Sequence, residues 1–278
     1  VSRDSAEVLV HPNPAMLLSI SQGSPNVCEG TAVTFAAANV GETVIDYVVW
    51  DKVLTEPMGT QTVLYHETTF NQSRWFHAKM VSTLGCAVSD SLYIAVEALP
   101  EMTISNDTTL CAGADITLSA TGGSFCIWSD ETGIIGGGYS FDIIADESKT
   151  YYATVFSDSN LGCFSIDSVT VTVEPKPTVT IQASQQNVCG GTPVVLSATG
   201  ADAYVWSTGQ TSQLITVAPL QTTVYSVTGI NQYGCTAQAT FTLNMIPAPE
   251  VSLSGLDPRY CSNADPVVLT GTPVGGIF

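Results

Sequence analysis

Basic residues are scarce in this chain: 7 Lys and Arg stand against 25 Asp and Glu, for a net charge of −18. Such a surface repels a phosphate backbone, which excludes nucleic-acid binding as a function class. Long apolar runs are missing too. No stretch of about 18 apolar residues occurs, so no membrane-spanning helix is encoded. The three histidines, His11, His66 and His77, stand apart, without H-E-x-x-H or H-x-H spacing for a metal. No C-x-x-C pair, G-x-S-x-G elbow, phosphate loop or dinucleotide fingerprint is present. Among 25 carboxylates, pairs of the glycosidase type arise by chance. The expectation is a protein without a catalytic centre or an organic cofactor. The acidity itself reads as a soluble, self-repelling surface. Its sharper reading is scattered calcium sites, with "DETG" (130–133) and "DIIADE" (142–147) as the best candidates, although neither has the spacing of a calcium loop.

What the chain does contain is repetition. Trp50, Trp128 and Trp206 are separated by two equal intervals of 78 residues. A folding unit must recur at such a pitch, whereas a ligand site need not. Cys28, Cys111, Cys189 and Cys261 open four units through "NVCEGTAVTF", "TLCAGADITL", "NVCGGTPVVL" and "RYCSNADPVVL". A Gly-Cys pair follows in three of them, at Cys86, Cys163 and Cys235. Strict alternation comes next. In "AQATFTLNM", Ala239, Phe241, Leu243 and Met245 point one way and Gln238, Thr240, Thr242 and Asn244 the other, the period of a half-buried antiparallel strand. Proline-rich joints ("HPNP", "ALPE", "EPKP", "IPAP") separate the units.

The repeats therefore run 13–99, 100–175 and 176–247. Residues 1–12 read as the last strand of a preceding repeat, and 248–278 as the first strands of a following, truncated one. The native chain is expected to continue at both ends. About seven short strands per repeat, one carrying a tryptophan, predict an all-β fold of tandem immunoglobulin-like β-sandwiches forming an elongated rod. The three tryptophans share a face with Val48, Cys126 and Tyr204, so they are read as core residues rather than ligand contacts.

The pattern C-x-G, strand, Y-x-W-S-x-G, "TTVYSVT", Gly-Cys, alternating strand resembles the Ig-like and PKD-like repeats of Bacteroidota cell-surface proteins. Those repeats are common in gliding-motility-associated adhesins and type IX secretion cargo. The likeness spans the whole chain, is clearest over 176–247, and is looser over 13–99, where "WDKVLTEPMGT" replaces the W-S-x-G turn. It implies secretion, surface display and a spacer or adhesive role, with no catalytic centre. It also implies O-glycans at the Asp-Ser/Thr-hydrophobic positions Ser5, Ser91, Thr108 and Ser168.

Eight regularly placed cysteines without metal spacing point to an oxidising, extracellular setting. Pairing within repeats (Cys28–Cys86, Cys111–Cys163, Cys189–Cys235) is favoured, because every complete repeat holds one of each type. Geometry objects, since in a standard Ig sandwich the two positions lie at opposite poles. The alternative is bonds between successive repeats, for instance Cys28 with Cys163. Cys126 reads as a buried inert thiol and Cys261 as bonded to a partner outside these residues.

"RWFHAK" (74–79) adds one surface feature. Phe76, Tyr152 and Tyr225 align and are expected to face inward, leaving Trp75 and His77 outward beside Tyr93 as a binding patch. The leading functional reading is a non-catalytic stalk or spacer of a large secreted cell-surface protein, with adjacent repeats of its own chain as partners. One alternative is a subunit of a self-assembling extracellular filament, joined to like chains through strand edges or the Trp75 patch. Another is a carbohydrate-binding module of a secreted polysaccharide-degrading enzyme, retained on surface glycans.

Overall fold

The structure, a computed structural model, describes residues 9–52, 54–255, 257–263 and 265–275. Helix is absent among them. By packing, one compact unit runs up to Thr108 and includes Asp115–Ile144 and Lys149–Val171. The other comprises Thr109–Ala114, Ala145–Ser148 and the chain from Thr172 onward. The second sequence repeat contributes to both.

In the first repeat, β1 (Met16–Gln22), β2 (Asn26–Cys28), β3 (Thr31–Asn39) and β4 (Ile45–Trp50) are followed by β5 (Leu54–Pro57), β6 (Val63–Phe70), β7 (Arg74–Ser82) and β8 (Ala87–Glu97). They form two sheets, ordered β1-β3-β6 and β2-β8-β7-β4-β5. The second repeat holds β9 (Thr103–Ile104), β10 (Thr108–Cys111), β11 (Ala114–Thr121) and β12 (Phe125–Asp130), then β13 (Gly133–Gly137), β14 (Ser140–Ala145), β15 (Lys149–Phe156) and β16 (Phe164–Glu174). Its sheets are β14-β11-β9 and β10-β16-β15-β12-β13. The third has β17 (Thr180–Ala183), β18 (Asn187–Cys189), β19 (Val194–Thr199), β20 (Ala203–Trp206), β21 (Leu214–Val217), β22 (Thr223–Ile230) and β23 (Thr236–Ile246). These pair as β17-β19-β21 and β18-β23-β22-β20. Beyond them β24 (Ser252–Ser254) pairs antiparallel with β25 (Thr270–Thr272). Residues 1–8, read from sequence as part of a strand, lie outside the described residues, and 9–15 carry no strand.

The fold is a series of Ig-like sandwiches, and alternation makes it so. Along β23, Leu243 is buried and Ala239, Phe241 and Met245 pack on the same core, while Thr240 and Thr242 pair outward with Ser226 and Val224. That core also holds Val194, Leu196 and Ile215 from the opposite sheet, so one apolar layer closes both. The first sandwich is built alike: Phe35 on β3 stacks on Phe76 of β7 at 3.8 Å between ring centroids. Trp50, Trp128 and Trp206 are all buried. A buried indole N–H needs an acceptor, and each finds one: Glu56 Oε2, Gly138 O and Ser212 O, at 3.0, 3.0 and 2.9 Å.

One inward position differs from expectation. Tyr152 is 40% exposed, and its neighbour Tyr151 is the buried residue. Register explains the shift. Trp128 faces Ala153 and Trp206 faces Val227, so the residue equivalent to Tyr225 is Tyr151, two before Ala153. Two adjacent tyrosines hide the frame in the sequence, and the pleat restores it.

A parallel pairing sets up the functional geometry. The chain enters each sandwich antiparallel in the smaller sheet, then crosses to the larger one. There β2 lies parallel to β8, with Cys28 opposite Glu97, and β18 lies parallel to β23, with Cys189 opposite Ile246. The first cysteine of a repeat thus sits at the far end of that repeat's last strand.

Candidate functional site

Two short motifs recur with the same backbone. After Cys28, Cys111 and Cys189 comes a turn whose second residue is glycine at φ +78°, +73° and +78°. Each glycine N–H donates to a carbonyl across the sandwich, at Phe70, Ala145 and Pro219, over 2.9, 2.8 and 2.9 Å. Before Cys86, Cys163 and Cys235 stands a glycine at φ +81°, +67° and +84°. Each hairpin is closed by an N–H donated to the cysteine's carbonyl, from Ser82, Ser157 and Asn231 respectively, at 2.8, 2.8 and 3.0 Å. Only glycine adopts such angles without steric cost, so C-x-G and G-C are backbone requirements that carry a cysteine with them.

The cysteines join across repeats. Cys28 bonds Cys163 and Cys111 bonds Cys235, each with 5.5 Å between Cα atoms. This corrects the within-repeat pairing. Cys28 faces Glu97 at the end of β8, whereas Cys86 immediately precedes Ala87 at its start. The eleven residues of β8 hold them roughly 35 Å apart, far beyond disulfide reach. The eleven residues of β23 do the same for Cys189 and Cys235. Cys86 and Cys189 therefore carry no bond within the described chain, and Cys126 and Cys261 are also thiols.

Polar contacts surround each cystine. Ser165 Oγ donates to Pro100 O in the "ALPE" linker at 2.7 Å. Ser157 and then Ser159 hydroxyls hold the Glu97 carboxyl below its usual range. At the second bond Asn231 Nδ2 donates to Pro175 O at 2.9 Å, and Ala112 N–H to Glu174 O at 2.9 Å. In both places a linker proline and the glutamate ending the last strand meet the Gly-Cys hairpin.

Cys126 lies opposite Val155 inside the second sandwich, where burial pushes its thiol pKa up. Cys189 and Cys261 are exposed and Cys86 is half-buried. The 278-residue chain expressed by itself, without flanking repeats, and treated unreduced with iodoacetamide should be labelled at these three within minutes. Labelling of Cys126 should be at least roughly 100-fold slower, because it waits for the sandwich to open. Peptide mass mapping over time reads the difference.

The second feature is the outer face of β7 and β8. Trp75 is 55% and Tyr93 46% exposed. They sit opposite each other in register, edge to face at 5.4 Å between centroids. His77 follows opposite Ser91, then Lys79 opposite Ser89. Val49, Lys52, His77, Ala78, Lys79 and Ser89 line an adjoining shallow groove of about 350 Å³. The strip thus offers apolar ring surface, a histidine and an ammonium on a face of an otherwise acidic chain.

Of the glycan positions, Ser168 is exposed, Ser91 and Thr108 are half-buried, and Ser5 lies outside the described residues. Asp90 accepts the Ser91 N–H at 2.7 Å and Asp167 the Ser168 N–H at 2.8 Å. Both motifs thus share one local conformation. Two carboxylates of the calcium candidates are held by protein partners. Asp130 accepts from the Thr132 hydroxyl and backbone and from Lys149, which lowers its pKa, and Asp142 accepts from Thr117. Among the described residues no group of three or more His, Cys, Asp or Glu is placed to hold a metal ion.

No protein-family model matches the chain, and no curated protein matches it in sequence. Solved structures resemble it at low identity. A variant of titin domains I67–I69 is 12% identical, covering 86% of this chain and all of that one, with a TM-score of 0.39. A 1.5-MDa bacterial ice-binding adhesin studied for host cell surface retention is 14% identical over 86% of this chain and all of that one, with a TM-score of 0.32. An ICAM-5 D1–D4 ectodomain fragment is 10% identical over 83% of this chain and 76% of its own, with a TM-score of 0.36.

Proposed function

We propose that the chain is a non-catalytic structural and adhesive segment, a stalk or spacer of a longer secreted protein displayed at a cell surface. The supporting observation is the direction of the two disulfides, each running from the Cys-turn of one repeat to the hairpin of the next. A bond so placed fastens neighbouring sandwiches at their shared linker and persists only in an oxidising compartment. The proposed setting is a Bacteroidota surface reached by the type IX route, a reading supported only by the likeness of the repeat pattern in sequence. Electron microscopy of the native full-length protein tests the reading. Thin single-file beads, one per repeat, are expected, while thick helical filaments would replace the stalk by an assembly subunit.

The exposed Trp75–Tyr93 pair favours a second reading, in which the first sandwich also binds surface glycans. Flat ring faces stack on sugar rings. On an insoluble glycan column the chain should be retained. Trp75→Ala should reduce retention at least tenfold, a loss of about 1.4 kcal/mol, with unchanged melting. Equal retention of the variant would remove the aromatic pair from the function.

A further inference from the structure

We propose that Cys86 and Cys189 are two open positions of a continuing disulfide ladder. Cys189 bonds the Gly-Cys hairpin cysteine of a repeat that follows in the same chain, and Cys86 bonds the Cys-turn cysteine of a repeat that precedes. The proposal rests on the stalk reading above and adds two binding positions to it.

The internal repeats supply the comparison. Cys86 occupies the hairpin position that is bonded in Cys163 and Cys235, with the same glycine before it and the same closing bond, Ser82 N–H to Cys86 O at 2.8 Å. Cys189 occupies the turn position that is bonded in Cys28 and Cys111, with the same left-handed glycine two residues on. What differs is the cover. Among hairpin cysteines, the bonded Cys163 and Cys235 are each 1% exposed whereas Cys86 is half-buried; among turn cysteines, the bonded Cys28 and Cys111 are half-buried whereas Cys189 is exposed. The ladder has one direction, with a turn cysteine always reaching forward by 124 to 135 residues. Applied to Cys189 and Cys86, that rule names the type of cysteine each receives.

Bond formation requires an oxidant of the disulfide class, either an oxidoreductase or glutathione disulfide. The Cys189 thiolate attacks it, forming a mixed disulfide and releasing one thiol. The hairpin thiolate of the next repeat then displaces the second thiol. Two protein thiols lose two protons and two electrons, and the oxidant's disulfide becomes two thiols. Closure at Cys86 balances identically.

The test is a disulfide map of the full-length protein as it is secreted, blocked with N-ethylmaleimide and digested without reduction. Peptides joining Cys28 to Cys163 and Cys111 to Cys235 report on the stalk reading, and their absence would sink both ideas together. With those present, the proposal expects Cys189 joined to a Gly-Cys peptide from beyond Phe278, and Cys86 joined to a Cys-turn peptide from before Val1. Intact mass without reduction should equal one chain. Maleimide on Cys86 or Cys189, a small thiol attached to either, or a mass of two chains would overturn it and leave the stalk reading standing.

Discussion

Pulled by its ends in non-reducing buffer, the 278-residue chain should stop extending at about 430 Å, and at about 970 Å once reduced, taking about 3.5 Å per residue. The difference follows from the shortest covalent path. That path runs to Cys28, crosses to Cys163, returns along the backbone to Cys111, crosses to Cys235 and leaves by the C-terminal end. Only roughly 120 residues lie on it, and the rest are held in loops that force cannot straighten. Three bonds within repeats would give almost the same total, so single variants must separate the two pairings. Cys86→Ser should leave the limit at about 430 Å, whereas a Cys28–Cys86 bond would make that variant about 200 Å longer. Cys28→Ser should lengthen the path by about 110 Å. Atomic-force or optical-tweezer extension curves measure each length directly.

Trp206→Ala should destabilise the third sandwich by about 4 kcal/mol. The indole lies buried among Tyr204, Ile215, Tyr225 and Val227, so truncation leaves a cavity that short strands fill poorly. Ser212 O also loses its donor. A sandwich of this size holds only about 4–11 kcal/mol in all, so the variant stands near its unfolding threshold. Urea denaturation should show one of the cooperative transitions moved to low denaturant, with those of the other sandwiches in place. A loss under 1 kcal/mol would contradict the core assignment. Trp75→Ala, on the open face of β7, should leave these curves unchanged.

The strand class was legible because period-two alternation survives in β8, β16 and β23, and the turns are written in glycines. Register within a strand was less so. In "TYYATV" either tyrosine satisfies the pattern, and only the pairing of Trp128 with Ala153 selects Tyr151 for the core. Disulfide pairing was legible only as the less favoured alternative, Cys28 with Cys163, for a different reason. Spacing records which cysteines recur and carries no trace of the crossing that lays β2 parallel to β8. That crossing moves Cys28 to the end of the sandwich nearest its successor. The Trp75–Tyr93 pair was readable as outward from Phe76, but its edge-to-face contact required the cross-strand register.

The same crossing imposes a timetable on maturation. While a repeat is still unfolded, its own two cysteines can collide and form a wrong bond. Once its last strand pairs, the eleven residues of that strand drive them apart and close that route. Each Cys-turn then waits, reduced, until the succeeding repeat has formed its hairpin. Oxidation therefore trails folding by one repeat along the chain.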